Sequence, residues 1–284
     1  MLHRKKHSRW WLSVLLLSSA ASTAQVPPMR PVTLSLGVVP QQSSTRTVNL
    51  WSGLLEEIGR RSGYRIELKP AQDIPTFEQR LAAGEFDLVY MNPYEYTVYH
   101  RAPGYQAFAR EEGKLEALIV VRRDGNIQKL SDLQGRTLAL VPAAFAATVL
   151  PLAHLRDQGV AVTPKFVDSH ESVYLAIIRG MYPAGGGVRR TFERMVPEMR
   201  AELRVLWAAP PVTPHAIAAH PRVPRAVVEQ LQRVLVDLKH DATGRRLLQE
   251  QGFTGIIVAH DKDWDDVRAL HIDLLDPVLR QARP

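Results

Sequence analysis

The chain has 284 residues, 45% hydrophobic and 23% charged, which excludes a disordered or fibrous polymer and suits one or two globular cores. Its formal net charge is +7, but Arg4, Lys5, Lys6 and Arg9 supply four of those charges at the start, leaving +3 for the rest. With no Lys/Arg block interleaved with aromatics, that surplus speaks against DNA or RNA as a partner.

Residues 1–24 combine this basic head with a short apolar run, Trp10 to Leu17, and the small residues Ser22-Thr23-Ala24. That is the pattern of a secretory signal peptide, and its apolar core falls short of the roughly 20 residues a membrane span needs. Cysteine is absent, so no disulfide, lipid-anchoring thiol or thiolate metal ligand is available. The expectation is a periplasmic protein that is not lipidated.

Val32–Val39 reads as a buried strand, followed by Val48, Trp51, Leu54, Leu55 and Ile58 at helical spacing and a stop at Gly63. Tyr64–Leu68 alternates as a strand, Phe77–Ala83 is helical up to Gly84, and Phe86–Met91 and Leu115–Val121 are strands. A second series follows, with strands over Thr137–Val141 and Thr163–Val167. Helices Ala144–Gln158 and Ser172–Arg179 are closed by Gly159 and Gly180. Leu203–Trp207 is a strand, and Pro224–His240, Thr243–Gln251 and Asp263–Leu279 are helices.

Strands alternating with helices imply parallel pairing through right-handed crossovers. Two such series imply two lobes, with crossings near Leu118–Arg123 and Ala208–His215. Lobe 1 is expected over 32–118 plus 215–284, and lobe 2 over 119–214. Two crossings permit hinge closure, and the carboxyl ends of the strands are where α/β sheets hold ligands. The loops after Val39, Met91, Val141, Val167 and Gly187 are therefore the place to look.

Four segments occur there in order: Val38-Val39-Pro40-Gln41, Asp87-Leu88-Val89-Tyr90-Met91-Asn92-Pro93-Tyr94, Leu130-Ser131-Asp132-Leu133-Gln134-Gly135-Arg136 and Asp168-Ser169-His170-Glu171-Ser172. From about Val32 to Leu270 the chain resembles the phosphate/phosphite/phosphonate-binding proteins of ABC transporters, the phosphonate-binding branch of the type 2 periplasmic binding proteins. The resemblance implies an α/β, two-lobed type 2 periplasmic binding protein fold with a hinge and an interlobe cleft. It also implies capture of a small oxyanion and delivery to an inner-membrane ABC permease. The chain departs from the family after its fourth strand. Where family members carry a Ser-Thr-Ser run, this sequence has Ala144-Phe145-Ala146, then Ala147. Backbone N–H groups at that helix start can still hold an anion, but each lost hydroxyl removes about 0.5–1.5 kcal/mol of hydrogen bonding.

The expected ligand-binding residues, each beside its structural alternative, follow the same order. Gln41, Gln42, Ser43, Ser44 and Thr45 offer neutral donors or merely cap the next helix. Asn92 and Tyr94 precede Tyr96, which matches a cleft tyrosine of the family; helical spacing also fits core packing. Ser169 is a donor or a helix cap, and His170 matches a family cleft position. Ala184-Gly185-Gly186-Gly187 with Arg189-Arg190 reads best as a tight turn bearing solvent-exposed arginines. Otherwise Gly186 brings backbone close to ligand and Arg190 grips an anion bidentately. His215 sits where the second crossing returns to the cleft.

No G-x-S-x-G elbow accompanies the serines and histidines, and His170 with His215 lacks a metal-site spacing. The carboxylates Glu56, Glu57, Asp263, Asp265 and Asp266 read as solvated helix faces. The expectation is therefore no catalysis, no cofactor, no metal and a monomer that binds a small-molecule anion or organic solute. An alternative role is a sensory protein presenting a different solute to a membrane receptor kinase or cyclase.

Overall fold

The computed structural model describes Met1 and residues 32–41, 44–142 and 144–272. The expected signal peptide and the expected helix beyond Ile272 lie outside them. The described residues from Val32 to Ile272 form a single unit, built on two mixed sheets.

The first sheet has the order β11-β4-β10-β3-β1-β2, from strands Thr33–Val38 (β1), Arg65–Leu68 (β2), Leu88–Met91 (β3), Gln106–Glu111 (β4), Ala216–Ala219 (β10) and Ile256–Val258 (β11). The second has the order β7-β6-β8-β5-β9, from Ala117–Arg122 (β5), Thr137–Leu140 (β6), Thr163–Phe166 (β7), Ala184–Val188 (β8) and Leu203–Ala208 (β9). Each sheet has a parallel half: β2, β1 and β3 in one, β7, β6 and β8 in the other. The remaining pairs are antiparallel, so the expected parallel pairing is found only within those halves. The chain supplies a strand without a crossover helix wherever it returns from one sheet to the other.

Helices Ser44–Ser62 (α1), Ile74–Ala82 (α2), Pro93–Tyr99 (α3), Arg225–Asp237 (α8) and Ala242–Gln251 (α9) belong with the first sheet. Trp51, Leu54, Leu55 and Ile58 give α1 its buried stripe, at the i, i+3, i+4, i+7 spacing an amphipathic helix requires. It stops at Gly63, whose φ of 76° an L side chain would resist. Asn92 starts α3 through a reciprocal cap: its side chain accepts from Glu95 N at 2.9 Å, and the Glu95 carboxylate accepts from Asn92 N at 2.8 Å.

Beside the second sheet, helix α4 begins as a π-helical turn, Phe145–Val149, and continues over Leu150–Asp157. Helices His170–Ile178 (α5), Arg189–Glu193 (α6) and Pro197–Ala201 (α7) follow. The C-terminal helix expected over Asp263–Leu279 is broken. A 3-10 turn, Asp261–Trp264, leads into a single turn, Asp265–Arg268 (α10), and His271 takes a positive φ of 49°. Trp264 explains the break, because it is fully buried and its indole donates to Pro214 O at 2.9 Å.

Ala184-Gly185-Gly186-Gly187 is also corrected. It is no turn but the buried centre of β8, and its glycines are dictated by what lies above and below. A Cβ on Gly185 would stand 2.4 Å from Val173 Cγ1, one on Gly186 1.8 Å from Ala147 O, and one on Gly187 2.3 Å from Tyr174 Oη. The strand thus lets α4 and α5 approach the sheet at backbone distance. Gly186→Ala collides with main chain that cannot rotate away, so the unfolding free energy from urea titration should fall by about 1–3 kcal/mol.

Candidate ligand cavity between the two sheets

The carboxyl ends of β1, β3, β6, β7 and β8 converge on a cavity of about 710 Å³. From the first-sheet side it is lined by Pro40, Gln41, Asn92 and His215, and from the second by Ala144, Phe145, Ala146, Ala147, Ser169, His170 and Arg190. Ten of the residues singled out from sequence therefore meet in one space: Gln41, Asn92, the four from Ala144 to Ala147, Ser169, His170, Arg190 and His215.

The others do not line it. Ser44 turns its hydroxyl onto Ala71 O at 3.2 Å. Tyr96, within α3, is fully buried, donating to Asp261 Oδ1 at 3.0 Å with its ring 4.4 Å from that of Trp264; core packing has claimed it. Tyr94 lies one layer out, its ring 6.1 Å from Phe145 and nearly parallel to it. Gly186 is sealed under α4. Gln42 and Ser43 fall outside the described residues.

Some of the convergent side chains also hold the backbone. The Asn92 amide is the α3 cap, and Ser169 caps α5 by accepting from Ser172 N at 3.1 Å. At the start of α4 the first N–H groups have no carbonyl one turn back, and Phe145, Ala146 and Ala147 stand there at the cavity wall. Thr148, the first hydroxyl residue after them, donates to Val141 O at 2.5 Å and closes the turn instead.

The inner end holds a polar cluster that the sequence did not reveal. Arg190, read from sequence as either a solvent-exposed arginine or an anion grip, donates through Nη1 to Glu111 Oε2. Tyr90 Oη donates to Glu111 Oε1, and His215 Nδ1 is 3.5 Å from that oxygen. Gln41 Nε2 stands 2.9 Å from His215 Nε2. The amide can only donate there, so the histidine accepts at Nε2 and carries its proton on Nδ1, toward Glu111. The Tyr90 and His215 rings are stacked, with centroids 4.9 Å apart.

Glu111 and His215 are buried, and the electrostatics follow from that. Burial pushes the His215 imidazole down to about 4; the Glu111 carboxylate offsets part of that and the Arg190 charge adds to it. Burial, then Arg190 and His215, likewise hold His170 at about 4. Burial and the Glu111 charge push the Tyr90 phenol well above its usual range. Burial disfavours the Arg190 charge, but Glu111 more than compensates and holds it protonated. Near pH 7 both histidines are neutral and Arg190 is matched by Glu111.

Farther out the wall includes Arg46, Arg194, Glu171 and Glu250, with Leu50, Ile74, Met195, Val196 and Met199. Among the described residues, no group of three or more His, Cys, Asp or Glu side chains is placed to hold a metal ion. No helix there is long and apolar enough to cross a membrane.

The sheets are joined by two segments, 112–116 and 209–215. They pair through Leu115 and Val212, which exchange N–H···O bonds of 2.8 and 2.9 Å. Asp266 ties the second segment down by accepting from Thr213 N at 2.8 Å.

Comparison with known proteins agrees with this architecture. The phosphate-import protein PhnD of Mycolicibacterium smegmatis is 24% identical, over 90% of this chain and 91% of its own. PhnD1 from Prochlorococcus marinus in complex with methylphosphonate superposes with a TM-score of 0.74 at 15% identity, covering 85% of this chain and 97% of that one. A Xanthomonas citri protein bound to ATP does so with a TM-score of 0.71 at 20% identity, covering 88% and 98%. Residues 36–264 match the family described as the periplasmic substrate-binding protein of phosphonate ABC transporters, and the chain belongs to that family.

Proposed function

We propose that this protein captures a small oxyanion of the phosphate, phosphite or phosphonate kind in the cavity between its sheets and presents it to a membrane ABC permease. The observation that carries the reading is convergence. Gln41 and His215 from one sheet face His170 and the start of α4 from the other across a single cavity. Such a ligand would bridge the two lobes, with the paired segments 112–116 and 209–215 as the hinge. Exported by residues 1–24, the protein would work free in the periplasm as a monomer.

Without the hydroxyl run of its relatives, the anion would rest on backbone N–H groups at α4 and on side-chain N–H donors such as Gln41 and the neutral imidazole of His170. Thermal unfolding with phosphate, phosphite and methylphosphonate tests this. At a hundredfold excess over Kd a bound ligand contributes about 2.7 kcal/mol, which for a protein of this size raises Tm by about 5–10 °C. If neither these anions nor a longer alkyl- or arylphosphonate moves the transition, the reading is wrong.

A further inference from the structure

The cavity does not match a bare inorganic oxyanion in charge, surface or size. At the inner end, Arg190 is already matched by Glu111. Farther out, Arg46 and Arg194 share the wall with Glu171 and Glu250. The arginines and carboxylates of the site are equal in number, so a dianion would leave water without a net positive charge to receive it. Burying unmatched charge is costly.

The surface is equally telling. Phe145 stands where the family's central hydroxyl is expected, and its ring is backed by Tyr94. Across the mouth, the corner between α6 and α7 brings Met195, Val196 and Met199 to the cavity margin. Helix α7 buries no residue, and Val196 is 53% exposed. Methionine walls adapt to irregular apolar guests. The volume, about 710 Å³, lies in the range of about 300–1,000 Å³ that holds drug-sized organic ligands.

Resting on the oxyanion-binding reading above, we infer that the ligand is an organic oxyanion with a single negative charge and a bulky apolar substituent, such as an aryl or longer-chain alkyl phosphonate or its monoester. The charged head sits at His170 and the start of α4. The substituent lies against Phe145, Met195 and Met199. The head is held by hydrogen bonds from uncharged donors, and the tail supplies most of the selectivity.

Titration calorimetry at pH 8 with inorganic phosphate, methyl-, butyl-, hexyl- and phenylphosphonate, and the monomethyl ester of phenylphosphonate, tests this. Affinity should rise about two- to fourfold per added methylene, and the monoester should bind at least as tightly as the parent dianion. Met195→Ser with Met199→Ser, both at half-buried positions, should lower the hexyl-to-methyl affinity ratio at least fivefold. Phosphate or methylphosphonate binding as tightly as the hexyl and phenyl compounds would overturn the inference and leave oxyanion binding standing. Silence across the whole panel would overturn both.

Discussion

Glu111→Gln should weaken the fold and strengthen dianion binding together, a pairing that few single substitutions produce. The Glu111 side chain is 5% exposed and its carboxylate accepts from both Arg190 and Tyr90. Removing one partner of a buried ion pair leaves the other charge uncompensated and costs about 3–5 kcal/mol. Arg190 keeps 33% of its side chain in solvent, so a loss near the lower end, about 3 kcal/mol, is expected in urea titration. The same change releases the guanidinium at the cavity wall, where a charge-assisted hydrogen bond contributes about 1.5–3 kcal/mol. Affinity for phosphate, measured by calorimetry, should then rise at least tenfold. A double variant, Glu111→Gln with Arg190→Gln, separates the effects: removing both charges should recover part of the stability and abolish the affinity gain. If the single substitution leaves both stability and phosphate affinity where they were, the ion pair has no energetic role.

This cluster also marks where reading the sequence stopped. The strand–helix alternation through Val32–Met91 and Thr137–Val167 was legible because β-branched runs, helical stripes and stop glycines agree with one another. The strands that were not legible are β4, β8, β10 and β11. Ala216–Ala219 reads Ala-Ile-Ala-Ala, with weak intrinsic strand preference, and Ile256–Val258 is three residues long. Tertiary pairing makes them strands. Glu111 ends β4, just before Glu112 and Gly113, so in one dimension it looks like the acidic start of a solvated loop. Arg190 likewise follows a glycine run that resembles a turn. Their partnership spans 79 positions, and nothing local to either residue announces it. The backbone half of the site was legible through rules that need no partner: ligands gather at strand carboxyl ends, and helix starts follow them. Tyr96 shows the limit of transferring a motif position. It stands in the resembling segment, yet Asp261 and Trp264, from the far end of the chain, hold it outside the cavity.

The two cavity histidines predict an acid response whose direction can be worked out. His215 is held near 4 in the fold against an ordinary value of about 6.5. Between those values the unfolded chain takes up a proton that the folded one refuses. Its contribution is therefore complete above pH 6.5 and is lost as pH falls to 4, about 3 kcal/mol in all. His170, partly open to the cavity, adds a smaller contribution of the same sign. Two acids, Glu78 on α2 and Glu95 on α3, oppose them. Burial pushes Glu78 up to about 7, and burial with the Glu78 charge pushes Glu95 well above its usual range. Protonated in the fold, they stabilise it below about pH 4.5 and lose that contribution as pH rises, Glu78 by about pH 7. The wild-type profile from pH 4.5 to 6.5 should therefore be shallow, and the histidine component appears only by difference. Relative to wild type, His215→Gln should gain about 3 kcal/mol of unfolding free energy between pH 7 and pH 4, because glutamine has no proton to refuse. Glu95→Gln should instead steepen the acid loss, unmasking the histidines. Denaturant titrations at half-unit pH steps measure both differences. Parallel wild-type and His215→Gln profiles over that window would mean that the imidazole is already solvated and protonated in the native state, and the neutral cavity inferred from its burial would have to be abandoned.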